Sequence, residues 1–136
     1  MTEKELQEKV ITYRILEARL DGLIKQRDFV ASKIIELQTT LASIDEVEKS
    51  NSEILFPIGG EAYTKAKVVE KGKLIISIGA NVALEKTIEE SKVILSNRKG
   101  ELEKAVNDMQ NEIVKISNTI NRLAPEIQEL SKNIQP

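Results

Sequence analysis

The sequence predicts a mostly α-helical chain in which a long antiparallel two-stranded coiled coil carries two central β-hairpins. Three observations predict this class. Both flanks of the 136-residue chain repeat apolar residues every seven positions, the middle is poor in charge, and that middle holds four of the six glycines. We therefore divide the chain into a coiled-coil helix over 1–50, a β-hairpin oligomerisation region over 51–84 and a second coiled-coil helix over 85–136, which together form one structural unit.

The first helix follows from two interlocking rows of residues spaced seven apart. Of their 12 positions, ten are apolar or Tyr, and the rows alternate by three and four, as in the a/d seam of a coiled coil. Lys9 and Arg27 interrupt the rows, and their aliphatic stems can lie along the seam while their charges reach water. The rows are Leu6, Tyr13, Leu20, Arg27, Ile34 and Leu41, and Lys9, Leu16, Leu23, Val30, Leu37 and Ile44.

The second helix repeats this pattern, with one row apolar throughout. Folding the chain back on itself buries both seams, so we expect the two helices to pair antiparallel. Pro125 lies within this segment, where it either ends the helix or loosens its last turns. The rows are Ile88, Leu95, Leu102, Met109, Ile116, Leu123 and Leu130, and Lys92, Lys99, Val106, Ile113, Ile120, Ile127 and Ile134.

The middle segment predicts about four short strands arranged as hairpins. Apolar runs cover 54–58 and 74–78, and an alternating segment covers 62–69. A brief extension over 81–84 precedes the second helix. Residues 70–73, between the second and third strands, are expected to form a turn in which Gly72 is able to adopt positive φ.

These strands have too little apolar surface for a core of their own. Isolated hairpins are marginally stable in water, and exposed strand edges invite pairing with another chain. We therefore expect other subunits to complete the sheet. The predicted interface residues are Leu55, Phe56, Ile58, Val68, Leu74, Ile76, Ile78 and Val82.

The composition excludes several classes of function. Without Cys or His, the chain cannot form Cys or His nucleophiles, Ser-His-Asp triads or zinc fingers. Gly59-Gly60 lacks the spacing of a phosphate-binding loop, so we expect neither an enzyme nor a cofactor. Acids and bases are interspersed and the net charge is −2, which argues against nucleic acid and membranes as partners. The charged first residues and the short apolar runs predict a cytoplasmic protein.

The middle segment also resembles a known family. The letters LFPIG at 55–59 and ISIGANVALE at 76–85 flank an alternating strand, with heptad helices on either side. They are similar to the α-class signature of prefoldin, close to L-V-P-V-G and V-S-V-G-x-G-x-A-x-E. The departures are conservative, and Asn81, which stands where glycine is common, tolerates positive φ. The step Leu-Ala-Pro at 123–125 resembles archaeal members.

The resemblance implies an ATP-independent molecular chaperone. It implies a hexamer of two α and four β subunits, in which hairpins from several subunits join in β-barrels and coiled coils extend as arms. Such a complex captures unfolded client proteins and delivers them to a group II chaperonin. The alternative is a coiled-coil structural adaptor or scaffold without client-holding activity, which explains the heptads but leaves the hairpins unexplained.

The ends of the arms are the predicted client-binding sites. Apolar residues near both ends of the chain exceed what the seam requires, and a coiled coil frays at its ends. Several arms on one hub would add their weak contacts through avidity. The predicted client-binding residues are Val10, Ile11, Ile15, Ile127, Leu130 and Ile134.

Overall fold

The computed structural model describes residues 2–49 and 53–134, and it confirms the predicted class: two long helices flank two antiparallel hairpins. The described chain divides into two compact units. The terminal unit comprises the described residues up to Lys33 and from Leu102 onward, and the hairpin unit comprises those from Ile34 to Glu101. The elements are α1 (Thr2–Lys49), β1 (Ile54–Gly59), β2 (Ala62–Ala66), β3 (Lys73–Gly79), β4 (Val82–Thr87) and α2 (Ile88–Ile134).

The heptad rows occupy the buried face of each helix. All 12 positions of the first helix are buried or half-buried, and so is each position of the second helix whose side chain is described. The side chain of Ile134 lies outside that description. The pattern predicts burial correctly because only side chains near a 3.5-residue period stay on the face towards a partner helix.

Each unit has its own apolar core. In the terminal unit, Leu23 packs with Ile113 and Ile116. In the hairpin unit, Ile76 of β3 packs against Ile44 of α1 and against α2. The first of these cores is built from the two helices alone, whereas the second also includes a strand. The surrounding half-buried residues are Leu16, Leu20, Ile24, Met109 and Ile120 in the terminal unit, and Leu37, Leu41, Leu74 and Ile94 in the hairpin unit.

The first turns of α2 bury a residue that the heptad rows omit. Ser91 is 0% exposed, whereas Lys92, which the row includes, is half-buried and bonds Asp45 through its Nζ at 2.8 Å. Ser91 lies three residues after Ile88 and four before Leu95, which are both buried, so it occupies the inward position. The Ser91 Oγ has no hydrogen-bond partner among the described residues.

A reciprocal cap fixes the start of α2. The Thr87 Oγ1 accepts a hydrogen bond from the Glu90 backbone N–H at 3.1 Å, and the Glu90 carboxylate accepts one from the Thr87 hydroxyl at 3.0 Å. The same carboxylate accepts the Thr87 backbone N–H at 3.4 Å, which completes a capping box. These side-chain and backbone hydrogen bonds from Thr87 lower the pKa of Glu90 below its ordinary value. The Ile88 N–H donates to the carbonyl of Gly72, 3.2 Å away, and so joins the segment between the hairpins to the helix.

Both hairpins turn through two residues with positive φ. Gly60 and Glu61 have φ of 57° and 63°, and Ala80 and Asn81 have φ of 52° and 61°. Positive φ at both central positions matches the right-handed twist of the flanking strands. Asn81 therefore adopts the positive φ that the sequence analysis expected this residue type to tolerate. Gly72 lies between the two hairpins, and it does not use the positive φ that was open to it.

The second helix continues through Pro125. The prediction left open whether the helix ends there, and α2 runs on to Ile134. A proline in a helix interior removes one backbone donor and crowds the preceding turn. The last turns of α2 are therefore held by one fewer backbone hydrogen bond than a regular helix of this length.

Candidate functional site

The hairpins expose large apolar side chains. Leu55, Phe56 and Ile58 of β1 are 67%, 54% and 65% exposed, although isolated strands of this kind are marginal in water. Ile78 and Val82 of the second hairpin are also exposed, and Val68, beyond the end of β2, is half-buried. The structure thus places six of the eight predicted interface residues where a partner can reach at least part of the side chain.

The two remaining predicted interface residues point into the chain itself. Ile76 is 8% exposed, and it packs with Ile44, Ile88 and Leu95. Leu74 is half-buried and packs against the same core. Ile76 is therefore removed from the set of residues available to a partner, because its surface is already covered by the helices.

Sequence reasoning missed Ile75, which is 76% exposed. Successive side chains of a strand point to opposite faces, so burial of Leu74 and Ile76 turns Ile75 outwards. Tyr63 of β2 and Val69 were missed as well, and both are exposed. The sequence showed that Ile75 and Ile76 point to opposite faces of the strand. It did not indicate which of the two faces lies against the helices.

Every strand in the described residues has one unpaired edge. β1 pairs only with β2, and β3 pairs only with β4, so each sheet has two strands. Each outer edge presents backbone N–H and C=O groups that a further strand can bind. Exposed apolar faces together with open edges make the hairpins a candidate surface for association.

The second candidate site is the tip, defined as residues 2–17 of α1 with residues 120–134 of α2. Ile11 and Ile15 are 58% and 62% exposed, and they lie on one face of α1 because they are four residues apart. The other described members of the predicted set are half-buried, namely Val10, Ile127 and Leu130.

Two apolar hollows lie at the tip. The seam hollow, about 310 Å³, lies between the two helices, and the outer hollow, about 330 Å³, lies along α1. Val10 and Arg14 line both of them. The other lining residues are Tyr13, Glu17, Ala124, Ile127 and Gln128 for the seam hollow, and Leu6, Gln7 and Ile11 for the outer hollow.

Charged pairs join the helices within the terminal unit. The Lys9 Nζ lies 2.6 Å from the Glu126 carboxylate, and Arg19 pairs with Glu112. The hydrogen bond from Lys9 lowers the pKa of Glu126, and it raises the pKa of Lys9. Because each pair links one residue of α1 to one of α2, these contacts favour a single register of the antiparallel helices.

The Glu126 pair predicts a pH dependence of stability. The pKa of Glu126 is lowered in the folded chain, so its contribution is fully present above the ordinary glutamate pKa and is lost as the pH falls through the lower folded value. Thermal melting followed by circular dichroism should show a smaller loss of stability on acidification in Glu126→Gln than in the wild-type chain. Glu129→Gln is the matched control, since Glu129 makes no ion pair with any described residue. An acid dependence unchanged in Glu126→Gln would contradict the assignment.

The described residues were compared with the requirements of a metal-binding cluster and of a membrane-spanning helix. Within 2–49 and 53–134, no group of three or more carboxylates is arranged to hold a metal ion. Neither helix, over the part that the structure describes, contains an apolar stretch long enough to cross a membrane.

The fold and these surfaces define a class of coiled-coil protein in which paired helices carry two-stranded sheets with open edges. A family model described as prefoldin subunit matches residues 4–133. The chain belongs to the prefoldin subunit family, whose members are non-enzymatic chaperone subunits that form hetero-oligomers with β-type subunits. It is therefore a chaperone subunit.

Curated relatives and solved structures agree with this family. The prefoldin subunit alpha of Pyrococcus horikoshii is 29% identical in an alignment of 132 residues that covers 95% of this chain and 89% of the relative. The prefoldin subunit alpha of Methanococcus vannielii is 28% identical, over 97% of this chain and 90% of its own length. The resemblance to the α class is confirmed by these relatives.

Two solved structures share the fold. A filamentous PFD from Methanocaldococcus jannaschii, determined by cryo-EM, has a TM-score of 0.72 at 23% identity, over 83% of this chain and 95% of that chain. The prefoldin beta subunit from Thermococcus strain KS-1 has a TM-score of 0.66 at 15% identity, over 100% of this chain and 98% of that chain.

Proposed function

We propose that this chaperone subunit binds unfolded polypeptides at its tip, keeps them from aggregating and passes them to a group II chaperonin without ATP. The subunit works in the cytoplasm as part of a hexamer of two α and four β subunits. Unfolded clients expose apolar side chains, and a surface that holds them needs accessible apolar groups rather than reactive ones. The assignment rests on family membership together with the exposed apolar residues of the tip.

The observation that carries the proposal is the exposure of Ile11 and Ile15. Both side chains are more than half exposed, both lie outside the heptad rows, and the packing of the two helices does not require either of them. We call Ile11 and Ile15 together the exposed ridge. Because Ile11 also lines the outer hollow, this apolar ridge lies directly beside that apolar hollow. A client side chain can enter the hollow while a neighbouring one contacts the ridge. Val10, Ile127 and Leu130 contribute from their half-buried positions, and Ile134 remains a proposed contact whose side chain is not described.

The hairpins are the proposed site of assembly with β-type subunits. Strands from those subunits would bind the open edges of β1 to β4 and complete a β-barrel. The exposed side chains would then become buried between subunits, which removes apolar surface from water. The proposed contacts are Leu55, Phe56, Ile58, Val68, Ile75, Ile78 and Val82, with Leu74 at the margin.

Assembly would make weak tip contacts effective. A single tip offers a client only a few apolar side chains, and each contact with them is worth little. When one hub holds several tips, a client bound to one of them meets the others at high effective concentration. The oligomer can then hold a client without hydrolysing a nucleotide. The client is released when another protein competes for the same apolar segments.

Substitution of the exposed ridge tests the proposal. We expect Ile11→Ser together with Ile15→Ser to weaken suppression of client aggregation several-fold, because both substitutions remove apolar surface that the helix pair does not use. Light scattering from a denatured client diluted into the assembled oligomer measures this. The matched control is Val114→Ser, which removes an exposed apolar residue of α2 outside the tip.

The two possible roles predict different results in this assay. Unchanged suppression by the double variant, with normal helix content by circular dichroism, would contradict client binding at this ridge. A wild-type oligomer that fails to suppress aggregation would instead favour the structural adaptor.

A further inference from the structure

Arg14 stands between the two apolar hollows of the tip. Its side chain lines the seam hollow on one side and the outer hollow on the other, and among the described residues only Val10 also lines both. Arg14 is exposed, so its guanidinium is accessible from both depressions. A cation in this position contacts whatever occupies the space beside it.

Arg14 has no partner among the described residues, in contrast to two neighbouring cations of α1. Lys9 is paired with Glu126, and Arg19 is paired with Glu112. Arg14 makes no ion pair or hydrogen bond with any residue that the structure describes. Glu17 lines the seam hollow as well, but it does not pair with Arg14. The five donors of the Arg14 guanidinium are therefore free to bind an external acceptor.

The apolar walls strengthen any charge pair formed there. Tyr13 and Ile127 border the seam hollow, and Leu6 and Ile11 border the outer hollow. Apolar groups brought into the hollows displace water from around the guanidinium and lower the local dielectric, so a carboxylate bound at the same time is attracted more strongly. Binding of apolar and anionic groups is thus mutually reinforcing.

We propose that Arg14 selects client segments in which an aspartate or glutamate is flanked by large apolar side chains. The carboxylate binds the guanidinium in the bidentate geometry that arginine favours, and the flanking side chains enter the seam hollow and the outer hollow. The hollows lie at the lower end of the size range of ligand sites, which suits single side chains rather than a compact ligand. The inference rests on the proposed binding of clients at the tip and adds the chemistry of the segments that are bound.

An extended segment fits this arrangement. Residues two apart in an extended chain point to the same side and are separated by about 7 Å. An acidic residue with apolar residues two positions before and after it therefore directs all three side chains at the tip. Ala124, which lines the seam hollow together with Tyr13, has a small side chain and so occupies little of that space.

Two short unstructured peptides test the proposal with the chain assembled in its oligomer. In both peptides a leucine lies two positions before a central residue and a phenylalanine lies two positions after it. The central residue is glutamate in one peptide and glutamine in the other. Fluorescence anisotropy at low salt should show that the wild-type chain prefers the glutamate peptide by roughly five- to tenfold. The preference should be abolished in Arg14→Gln and should decrease at high salt.

The control variant is Arg122→Gln, which removes an exposed arginine of α2 that lines neither hollow. This variant should retain the preference. If Arg14→Gln retains it too, or weakens both peptides equally, the selection by Arg14 is overturned while client binding at the tip stands. If the wild-type oligomer binds neither peptide, the selection and the proposed tip binding are overturned together.

Discussion

An aspartate in place of Ile75 is expected to leave the subunit folded and to prevent it from assembling with β-type subunits. The side chain is 76% exposed on the face of β3 turned away from the helical core, so its replacement costs the isolated chain little. In the proposed barrel the same position becomes buried, where an unpaired carboxylate costs about 3 kcal/mol or more. The expected result is an unchanged circular dichroism spectrum and a loss of the high-mass species by light scattering.

Val93→Asp is the matched control for this experiment. Val93 is 57% exposed and belongs to the hairpin unit, but it lies on α2 rather than on a strand. Assembly should therefore survive in Val93→Asp. Normal assembly of Ile75→Asp would show that this face of β3 is not part of the interface.

An aspartate in place of the neighbouring Ile76 is expected to have the opposite effect. Ile76 is packed with Ile44, Ile88 and Leu95, and a charge placed among these side chains has no partner. The cost is about 4 kcal/mol or more, and we expect β3 and β4 to detach from the helices. Hydrogen exchange of the β3 amides should increase sharply even in the isolated chain, so the effect does not depend on assembly.

Ile76→Val separates loss of packing from the presence of charge. It removes a single methylene group and should cost about 1 kcal/mol, with β3 still protected from exchange. If Ile76→Asp left exchange and denaturant stability unchanged, the core of the hairpin unit would not be as described. The two adjacent positions thus test separately the folding of the hairpin and its association.

The heptad rows were predictable because burial along a helix pair follows a fixed period. Leu23 and Ile113, from different helices, were placed on the seam by spacing alone, and both are buried. The hairpins were predictable for a similar reason, since Gly59 and Gly79 each close an apolar run of strand length. Such regularities are local, so a single sequence is enough to reveal them.

Features that depend on contacts between distant segments were not predictable. The heptad row included Lys92, but the close approach of β3 and α1 to the first turns of α2 makes Ser91 the inward residue. The pattern of the strand did not indicate that Ile76, rather than Ile75, faces the helices. Likewise, the sequence did not indicate that Arg14 has no acidic partner among the described residues, because pairing between the helices depends on their register.

The junction between β4 and α2 has a mechanical consequence. Thr87 ends the strand and Ile88 begins the helix, so no loop separates them, and the capping box holds the junction closed. The Ile88 N–H is bound to the Gly72 carbonyl at the same point, so a change of angle between β4 and α2 has to break these hydrogen bonds. The junction therefore couples the orientation of the second hairpin to that of the first turns of α2.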